Sequence, residues 1–527
     1  MGASDSRAPN SETRAKKGRC PSMKLLIANR GEIAVRIIRA CREMGIGTVA
    51  VYSEVDRMSP HVLMADEAYG IGPAAAAESY LDIDRLIDAA RRSQAELVHP
   101  GYGFLAENAS FAERVEREGL TWVGPPPAAI RLMGSKTESR KLAVDVGVPL
   151  IPGLVKPLED LSELEDFVDE VGFPVLLKAV AGGGGKGMRA VTERSELASA
   201  FDRARSEGKA YFGDDRVYVE RLVSQPRHIE VQVAADRHGA AVYVGERECS
   251  IQRRHQKVVE ECPSPVVGPE LRARLGEAAL AIVRAADYHS VGTVEFLVDA
   301  EGEFFFLEMN TRLQVEHPVT EMVYGVDLVC EQINLALGKE LSLRQDELEP
   351  RGHAIECRVY AEDPLRNFAP SPGRISLLIR PDGPGVRVDS GVFAGSVVPL
   401  EYDPMLAKLV VWAPDREGAI ARLRRALQEY RIRGIATTLP LFQTLVDMDE
   451  FRSADFHTGF LDELLASKRL DELQGRQNPA AEHAAIVAAA CLATLEAGAL
   501  EDRRPADGDT SEWWGEGLRV QHGRFPR

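Results

Sequence analysis

Glu295 and Glu308 stand in two apolar runs, Val291 to Val298 and Glu303 to Met309, around Asp299-Ala300-Glu301-Gly302. A hairpin closed by a two-residue loop at Glu301-Gly302, or by a four-residue loop around it, sets position 295 opposite 308. The period of two along a strand then puts Asn310 on the face of Glu308. Two carboxylates placed directly opposite repel, so the pair is most stable with a cation between them. Carboxylate and amide oxygens are hard donors that suit Mg²⁺ or Mn²⁺ beside a nucleotide triphosphate. Solvated acids on an exposed hairpin are the plainer alternative. The segment Asn310-Thr311-Arg312-Leu313-Gln314-Val315-Glu316-His317-Pro318 weighs against it. Arg312 offers a planar fork for a carboxylate, phosphate or bicarbonate, Glu316 is a candidate base, and Pro318 argues against a continuing solvated helix.

Further basic and polar groups converge elsewhere. Gly182-Gly183-Gly184-Gly185-Lys186-Gly187 follows an apolar strand ending at Lys178. Glycines let backbone N–H groups approach phosphate oxygens and the lysines add fixed charge, so the spacing predicts a phosphate-covering loop, with a plain flexible turn as the alternative. It is not a Walker loop, because Val180 and Gly187 stand where that motif needs Gly and Ser or Thr. Gly101-Tyr102-Gly103-Phe104-Leu105-Ala106 fits a dinucleotide fingerprint, yet no acid follows about 20 positions on to hold a ribose. Alternation in Arg227-His228-Ile229-Glu230-Val231-Gln232-Val233 puts His228, Glu230 and Gln232 on one strand face, which an ordinary half-exposed strand would also do. Gln252-Arg253-Arg254-His255-Gln256-Lys257 gathers positive charge in an acidic chain, as an anion site would, or as an ion-paired surface would.

The elements that must position these groups are legible in part. Lys24 to Asn29 predicts a strand, then a turn at Arg30-Gly31, then a helix with Ile33, Ile37, Ile38 and Cys41 on one face. Strands follow at Thr48 to Tyr52, Ala95 to His99 and Trp122 to Gly124, with a helix at Tyr80 to Ser93. That alternation indicates an α/β domain with a parallel sheet. From Val175 to Asn310 the pattern reads α+β with few long helices. Helices are expected at Ser135 to Gly147, Leu328 to Leu337 and Arg416 to Arg431, and short strands from His353 onward.

The 527 residues carry 81 acidic against 64 basic side chains, a net charge of −17, and 45% are hydrophobic. The length suggests three or four domains at about 150 residues each. Such an acidic chain is a poor polyanion binder, so no nucleic-acid partner is expected. Seven scattered cysteines without CxxC pairs suggest neither a disulfide framework nor a zinc site and point to a reducing, cytoplasmic setting. The longest apolar run, Ala484 to Leu495, is shorter than the roughly 20 residues of a membrane span. No membrane association is expected. Residues 1–22 read as a disordered leader.

The blocks NRGEIAVR (29–36), HPGYGFLAEN (99–108), LLKAVAGGGGKGMR (176–189), CSIQRRHQKVVEE (249–261), VGTVEFL (291–297), LEMNTRLQVEHPVTE (307–321), ECRVYAED (356–363), PSPG (370–373) and DFHTGFL (455–461) resemble biotin carboxylase, in order, across residues 23 to 465. The resemblance implies three parts: an N-terminal Rossmann-like parallel-sheet domain at 23–138, an ATP-grasp domain at 139–340 with a lid near 150–225, and a mixed α+β domain at 350–465. It implies ATP cleavage coupled to bicarbonate activation through carboxyphosphate, with capture of CO₂ by N1 of biotin. Lys136, Lys178 and Gly182 to Gly185 would bind phosphates. Glu220, Arg221, Leu222 and Val223 would form the adenine hinge, and His228 and His255 would lie along the nucleotide. Glu295, Glu308 and Asn310 would hold two Mg²⁺ or Mn²⁺ ions. Lys257, Arg312 and Val315 would line the bicarbonate pocket, Glu316 would deprotonate bicarbonate, and Arg358 would stabilise the biotin anion.

The hinge departs from the family's usual Glu-Lys-Tyr-Leu by reading Glu-Arg-Leu-Val. No Ala-Met-Lys-Met biotinylation sequence occurs, so biotin is expected on a separate carrier protein, with carboxyltransferase subunits as further partners and a homodimer as the family's assembly. Residues 466–527 form an extension for which partner docking or a solvated tail are both open. A catalytically silent assembly subunit would require damaged site residues, and Lys257, Glu308, Arg312, Glu316 and Arg358 all stand. RRHQKVVEE and the Arg358 segment weigh against other ATP-grasp ligases. The expected role is the biotin carboxylase subunit of an acetyl- or propionyl-CoA type carboxylase.

Overall fold

The computed structural model describes residues 23–154, 156–179 and 188–467, with isolated positions 469, 487 and 491. The leader, the loop Gly182 to Gly185 with Lys186, and the polar tail lie outside the described residues. So does nearly all of the alanine-rich segment. The described residues to 467 belong to one compact unit.

A parallel sheet opens the chain. Its strands are β1 (Lys24–Ile27), β2 (Gly47–Ser53), β3 (Glu67–Gly72), β4 (Leu97–His99) and β5 (Thr121–Trp122), in the order β3-β2-β1-β4-β5. Helix α1 (Gly31–Met44) buries Ile33, Ile37, Ile38 and Cys41 against β1, and ends at Gly45, whose φ of 72° caps it in the left-handed region that glycine adopts without strain. The hydrophobic pattern predicts four strands; the fifth, β3, is an edge strand. Glu-Ala-Tyr-Gly-Ile-Gly alternates between exposed and half-buried positions for most of its length and carries too little apolar signal to announce itself.

The middle of the chain contains two layers. A small antiparallel sheet, β6 (Val175–Ala179), β7 (Met188–Val191) and β8 (Val217–Arg221), packs on the helix Leu197–Phe212. That helix and Pro269–Ala285, of 16 and 17 residues, are the two α-helices described between Val175 and Asn310, in keeping with an α+β segment of few long helices.

An antiparallel sheet of eight strands positions the chemistry. It contains β9 (Arg227–Ala235), β10 (Ala241–Arg253), β11 (Gln256–Cys262), β12 (Ser290–Val298), β13 (Phe304–Asn310) and β14 (His353–Tyr360), joined by Val386–Ser390 and Met405–Ala413. The order runs β13-β12-β9-β10-β11-β14, then Met405–Ala413, then Val386–Ser390. Of the short strands expected from His353 onward, three continue the central sheet, and the others pair into small two-stranded sheets. Helices at Leu328–Ala336 and Arg416–Glu429 fall within two residues of expectation. Among the described residues no helix is long and apolar enough to cross a membrane, and Cys41, Cys249, Cys262, Cys330 and Cys357 are free thiols.

Candidate active site

Strand β9 is the keel of the site. His228, Glu230 and Gln232 share a face as the alternation predicted, but all three are buried, so the half-exposed alternative falls. The registers of the neighbouring strands extend this face sideways: Glu308 opposite Glu295, Glu295 opposite Glu230, and Glu230 opposite Arg247. Arg247 is fully buried and its fork is spent on protein. It donates to Glu230 Oε2 at 3.1 Å, Gln232 Oε1 at 2.7 Å, Thr293 Oγ1 at 3.0 Å and Thr320 Oγ1 at 3.0 Å. That clamp fixes Glu230.

Lys257 reaches into the acids from β11. Its Nζ donates to Glu295 Oε1 and Glu316 Oε1, each at 2.9 Å, and to Glu230. Burial alone would strip the proton from this ammonium, but Glu295 and Glu316 outweigh it and raise the group. Glu295 is correspondingly held well below the usual carboxylate range: burial opposes ionisation, and Lys257 and then His228 overcome it. The imidazole is oriented from both ends, with Gln252 Nε2 against Nδ1 at 2.7 Å and Nε2 against Glu295 Oε2 at 2.9 Å. Asn310 Nδ2 and Gln314 Nε2 also donate to Glu295 Oε1, at 2.7 and 3.1 Å.

Glu316 precedes the helix His317–Tyr324, which packs against β10, β11 and β14. Its carboxylate is fully buried between two cations, with Oε1 on Lys257 and Oε2 on Arg358 Nη2 at 2.9 Å. Burial raises its affinity for a proton, yet Lys257 and Arg358 hold it well below the ordinary range. It is ionised at neutral pH, as a base must be before it accepts a proton. Arg312 donates to Glu107 Oε2 at 2.9 Å, Gln314 Oε1 at 2.8 Å and Asn310 Oδ1 at 2.8 Å, which fixes the plane of its fork. Val315 is anchored by Lys408, whose Nζ donates to its carbonyl at 2.8 Å.

A cavity of about 830 Å³ joins these groups. Lys178, His228, His255, Lys257, Glu295, Glu308, Asn310, Arg312, Val315 and Arg358 line it, and Glu316 lies directly behind Lys257 and Arg358. His255 sits at the β10–β11 turn with a φ of 67°. Glu308 opens to solvent, yet the cleft walls and then Glu295 push it up to about 7. Glu220 to Val223 and Lys136 are not among the lining residues. Glu220 lies opposite Leu176 and accepts from Lys178 and from Arg140 Nη1 at 2.6 Å, so its side chain positions Lys178. Arg221 rests over the ring of Phe305 at 5.4 Å. The N–H groups of Arg221 and Leu222 are already bonded to the carbonyls of Pro152 and Pro174. Lys136 opens the helix Lys136–Asp145.

Several participants went unassigned in the sequence. Glu230 was placed on the correct face without a role, while Glu260, Glu107, Arg247 and Lys408 had none. Their partners lie 98, 205, 17 and 93 positions away along the chain. No local pattern marks such pairs.

Known proteins place this arrangement. The chain matches the family described as "Biotin carboxylase, N-terminal domain" over residues 21–130, "Carbamoyl-phosphate synthase L chain, ATP binding domain" over 135–344 and "Biotin carboxylase C-terminal domain" over 356–463. It is 50% identical to a biotin carboxylase of Nostoc sp., covering 84% of this chain and 99% of that protein.

The chain belongs to the biotin carboxylase family.

Among solved biotin carboxylases, the β-γ-ATP complex from Campylobacter jejuni superposes with a TM-score of 0.79 at 44% identity, over 84% of this chain and 98% of that one. The biotin carboxylase domain dimer of Hydrogenobacter thermophilus 2-oxoglutarate carboxylase, solved with MgADP, ADP and bicarbonate, gives 0.77 at 46% identity, over 84% and 97%. A biotin carboxylase is an ATP-dependent ligase, and a parallel-sheet N-terminal domain ahead of an ATP-grasp centre is the fold observed here.

Glu295, Glu308 and Asn310 fit a divalent ion by donor chemistry, being oxygen donors of which Glu308 faces the open cleft. Two other groups among the described residues, His228 with Glu230 and Glu295, and Glu230 with Cys249 and Glu316, also bring possible ligand atoms within 4.8 Å of one another.

Proposed function

We propose that this protein carboxylates biotin with bicarbonate at the expense of ATP, through carboxyphosphate, and that it does so on a biotin carried by a separate protein. The observation that carries this reading is the alternation of charges across the cleft: Glu295, Lys257, Glu316 and Arg358, each bonded to the next at 2.9 Å. Lys178 lines the same cleft as Glu295, Lys257 and Arg358.

Phosphoryl transfer needs positioning and charge neutralisation rather than a protein nucleophile. Lys178, steadied by Glu220, supplies fixed charge at the nucleotide end, assisted by Lys136 and the Gly182 to Gly185 loop. Glu220 to Val223 form the adenine hinge, and His228 and His255 lie along the nucleotide. Magnesium or manganese held by Glu295, Glu308 and Asn310, two ions in all, would neutralise charge on the phosphates. Arg312, Lys257 and the backbone of Val315 orient bicarbonate, and Glu316 takes its proton as a bicarbonate oxygen attacks the γ-phosphorus and ADP leaves. Carboxyphosphate then breaks into CO₂ and phosphate. The released phosphate takes the N1 proton of biotin, Arg358 offsets the charge that develops on the ureido oxygen, and N1 bonds to CO₂.

The finer reading is a subunit of an acetyl- or propionyl-CoA type carboxylase that works in the cytoplasm as a homodimer with a biotin carboxyl carrier protein and carboxyltransferase subunits. We further propose domains at 23–138, 139–340 and 350–465, with 1–22 and 466–527 as flanking segments. ADP release with free biotin tests the reaction. Release should require bicarbonate and rise with biotin; indifference to both would refute it.

A further inference from the structure

Arg358 is held from two sides by fully buried acids. Its Nη2 donates to Glu316 Oε2 at 2.9 Å, and its Nε donates to Glu260 Oε1 at 2.5 Å. Glu260 lies on β11 directly opposite Glu356 on β14, and both residues are 0% exposed. The second oxygen of Glu260 and both oxygens of Glu356 accept no hydrogen bond from a described residue. Two ionised carboxylates cannot sit opposite each other in a dry sheet without a cation for each. Arg358 serves Glu260. The other cation of this face, Lys408, is spent on the Val315 carbonyl and on Glu32 at 3.3 Å. Burial, helped by the facing acid, outweighs Lys408 and favours a proton on Glu356; burial lifts Glu260 as well, but Arg358 opposes it and bonds Glu260 directly.

We infer that Glu260 is a positioning residue for Arg358: it carries the single negative charge of the Glu260–Glu356 pair, locks the guanidinium through Nε, and thereby fixes the face that Arg358 turns to the cleft, while Glu356 stays neutral. The inference rests on the proposed role of Arg358 toward biotin. Arginine has rotamers to spare, and one bond to Glu316 would leave the fork free to swing; the second bond, to Nε, removes that freedom. Glu260 touches no substrate in this scheme and acts only through its neighbour.

The test compares two activities of the full-length protein, bicarbonate-dependent ATP cleavage without biotin and carboxylation of free biotin. In Glu260→Gln, carboxylation should fall about ten- to a hundredfold while ATP cleavage stays within about threefold, because misplacement of one positioning group is felt by the step it serves. Glu356→Gln, which mimics the neutral acid, should leave both activities within about twofold and the melting temperature unchanged. If Glu260→Gln proves unstable, Glu260→Asp keeps the charge and shortens the reach, and should show the same selective loss at smaller size. Intact carboxylation in Glu260→Gln, equal loss of both activities, or a damaged Glu356→Gln overturns the inference. Arg358→Ala separates the levels: if it fails to impair carboxylation selectively, the role given to Arg358 is wrong whatever Glu260 does.

Discussion

Glu295 and Glu308 face each other across β12 and β13, but the turn between those strands does not put them there. Asp299 N–H bonds to the Glu303 carbonyl at 2.9 Å around a three-residue loop, and the pairs Val298–Phe304 and Phe296–Phe306 continue that register. Carried one step further it would set Glu295 opposite Leu307. A bulge between Glu295 and Phe296 leaves Leu307 unpaired and brings Glu308 into place. Bulges re-aim side chains next to active sites, and this one aims a carboxylate into the cleft.

Glu308→Gln should therefore act on the metal requirement. The amide retains shape but loses the charge that a divalent ion would meet, so the magnesium concentration for half-maximal ATP cleavage should rise by about tenfold or more. A magnesium titration of both proteins checks this, and superimposable curves would remove Glu308 from the metal site.

Lys257→Gln should abolish both activities together. Without its ammonium, Glu230, Glu295 and Glu316 meet with one positive partner fewer, and breaking a buried pair costs roughly 3–5 kcal/mol. Bicarbonate-dependent ATP cleavage should drop at least about a hundredfold, with a lowered melting temperature. A variant that cleaves ATP normally and loses only biotin transfer would contradict the central place of Lys257.

Acid stability should register Asp389. Burial opposes its ionisation, but Arg387, bonded at 2.7 Å, and then Lys408 hold it down at about 2 against 3.8 for an unstructured aspartate. A lowered folded value means stability that is present in full above pH about 4 and disappears as pH falls toward 2. The contribution is about 2 kcal/mol. Asp389→Asn should melt earlier at pH 7 and show a shallower loss between about pH 4 and 2. Parallel melting curves against pH would refute the coupling.

Gly302 closes the loop with a φ of 81° and open space where a Cβ would stand. Gly302→Ala should cost about 1 kcal/mol through backbone conformation alone, lowering the melting temperature by a few degrees. The bulge lies beyond the loop, so the metal titration should be unchanged.

Short-range pattern carried the site a long way. The alternation around Glu230 fixed a strand face, and Glu308 and Asn310 lay two apart on theirs. The pairing of 295 with 308 was correct, although neither proposed loop is the one that forms and the bulge supplies the difference. What stayed hidden depends on which strands become neighbours. Glu260 meets Arg358 only because β11 pairs with β14, and Lys408 reaches Val315 from a strand that begins at Met405. Strand β3 was invisible for the opposite reason, since an exposed edge needs few apolar residues. Motif likeness gave no sign of what Glu220 touches: its carboxylate accepts from Lys178 and Arg140.

The eight-stranded sheet runs continuously from Phe304–Asn310 to Val386–Ser390, interrupted only by local register shifts, with Glu308 near one edge and Lys408 near the other. Amide protons along this ladder should be the last in the chain to exchange with deuterium, since opening any strand exposes the whole row. Phosphate chemistry and biotin chemistry thus stand on a common floor with no seam. Whatever moves during turnover has to move above it.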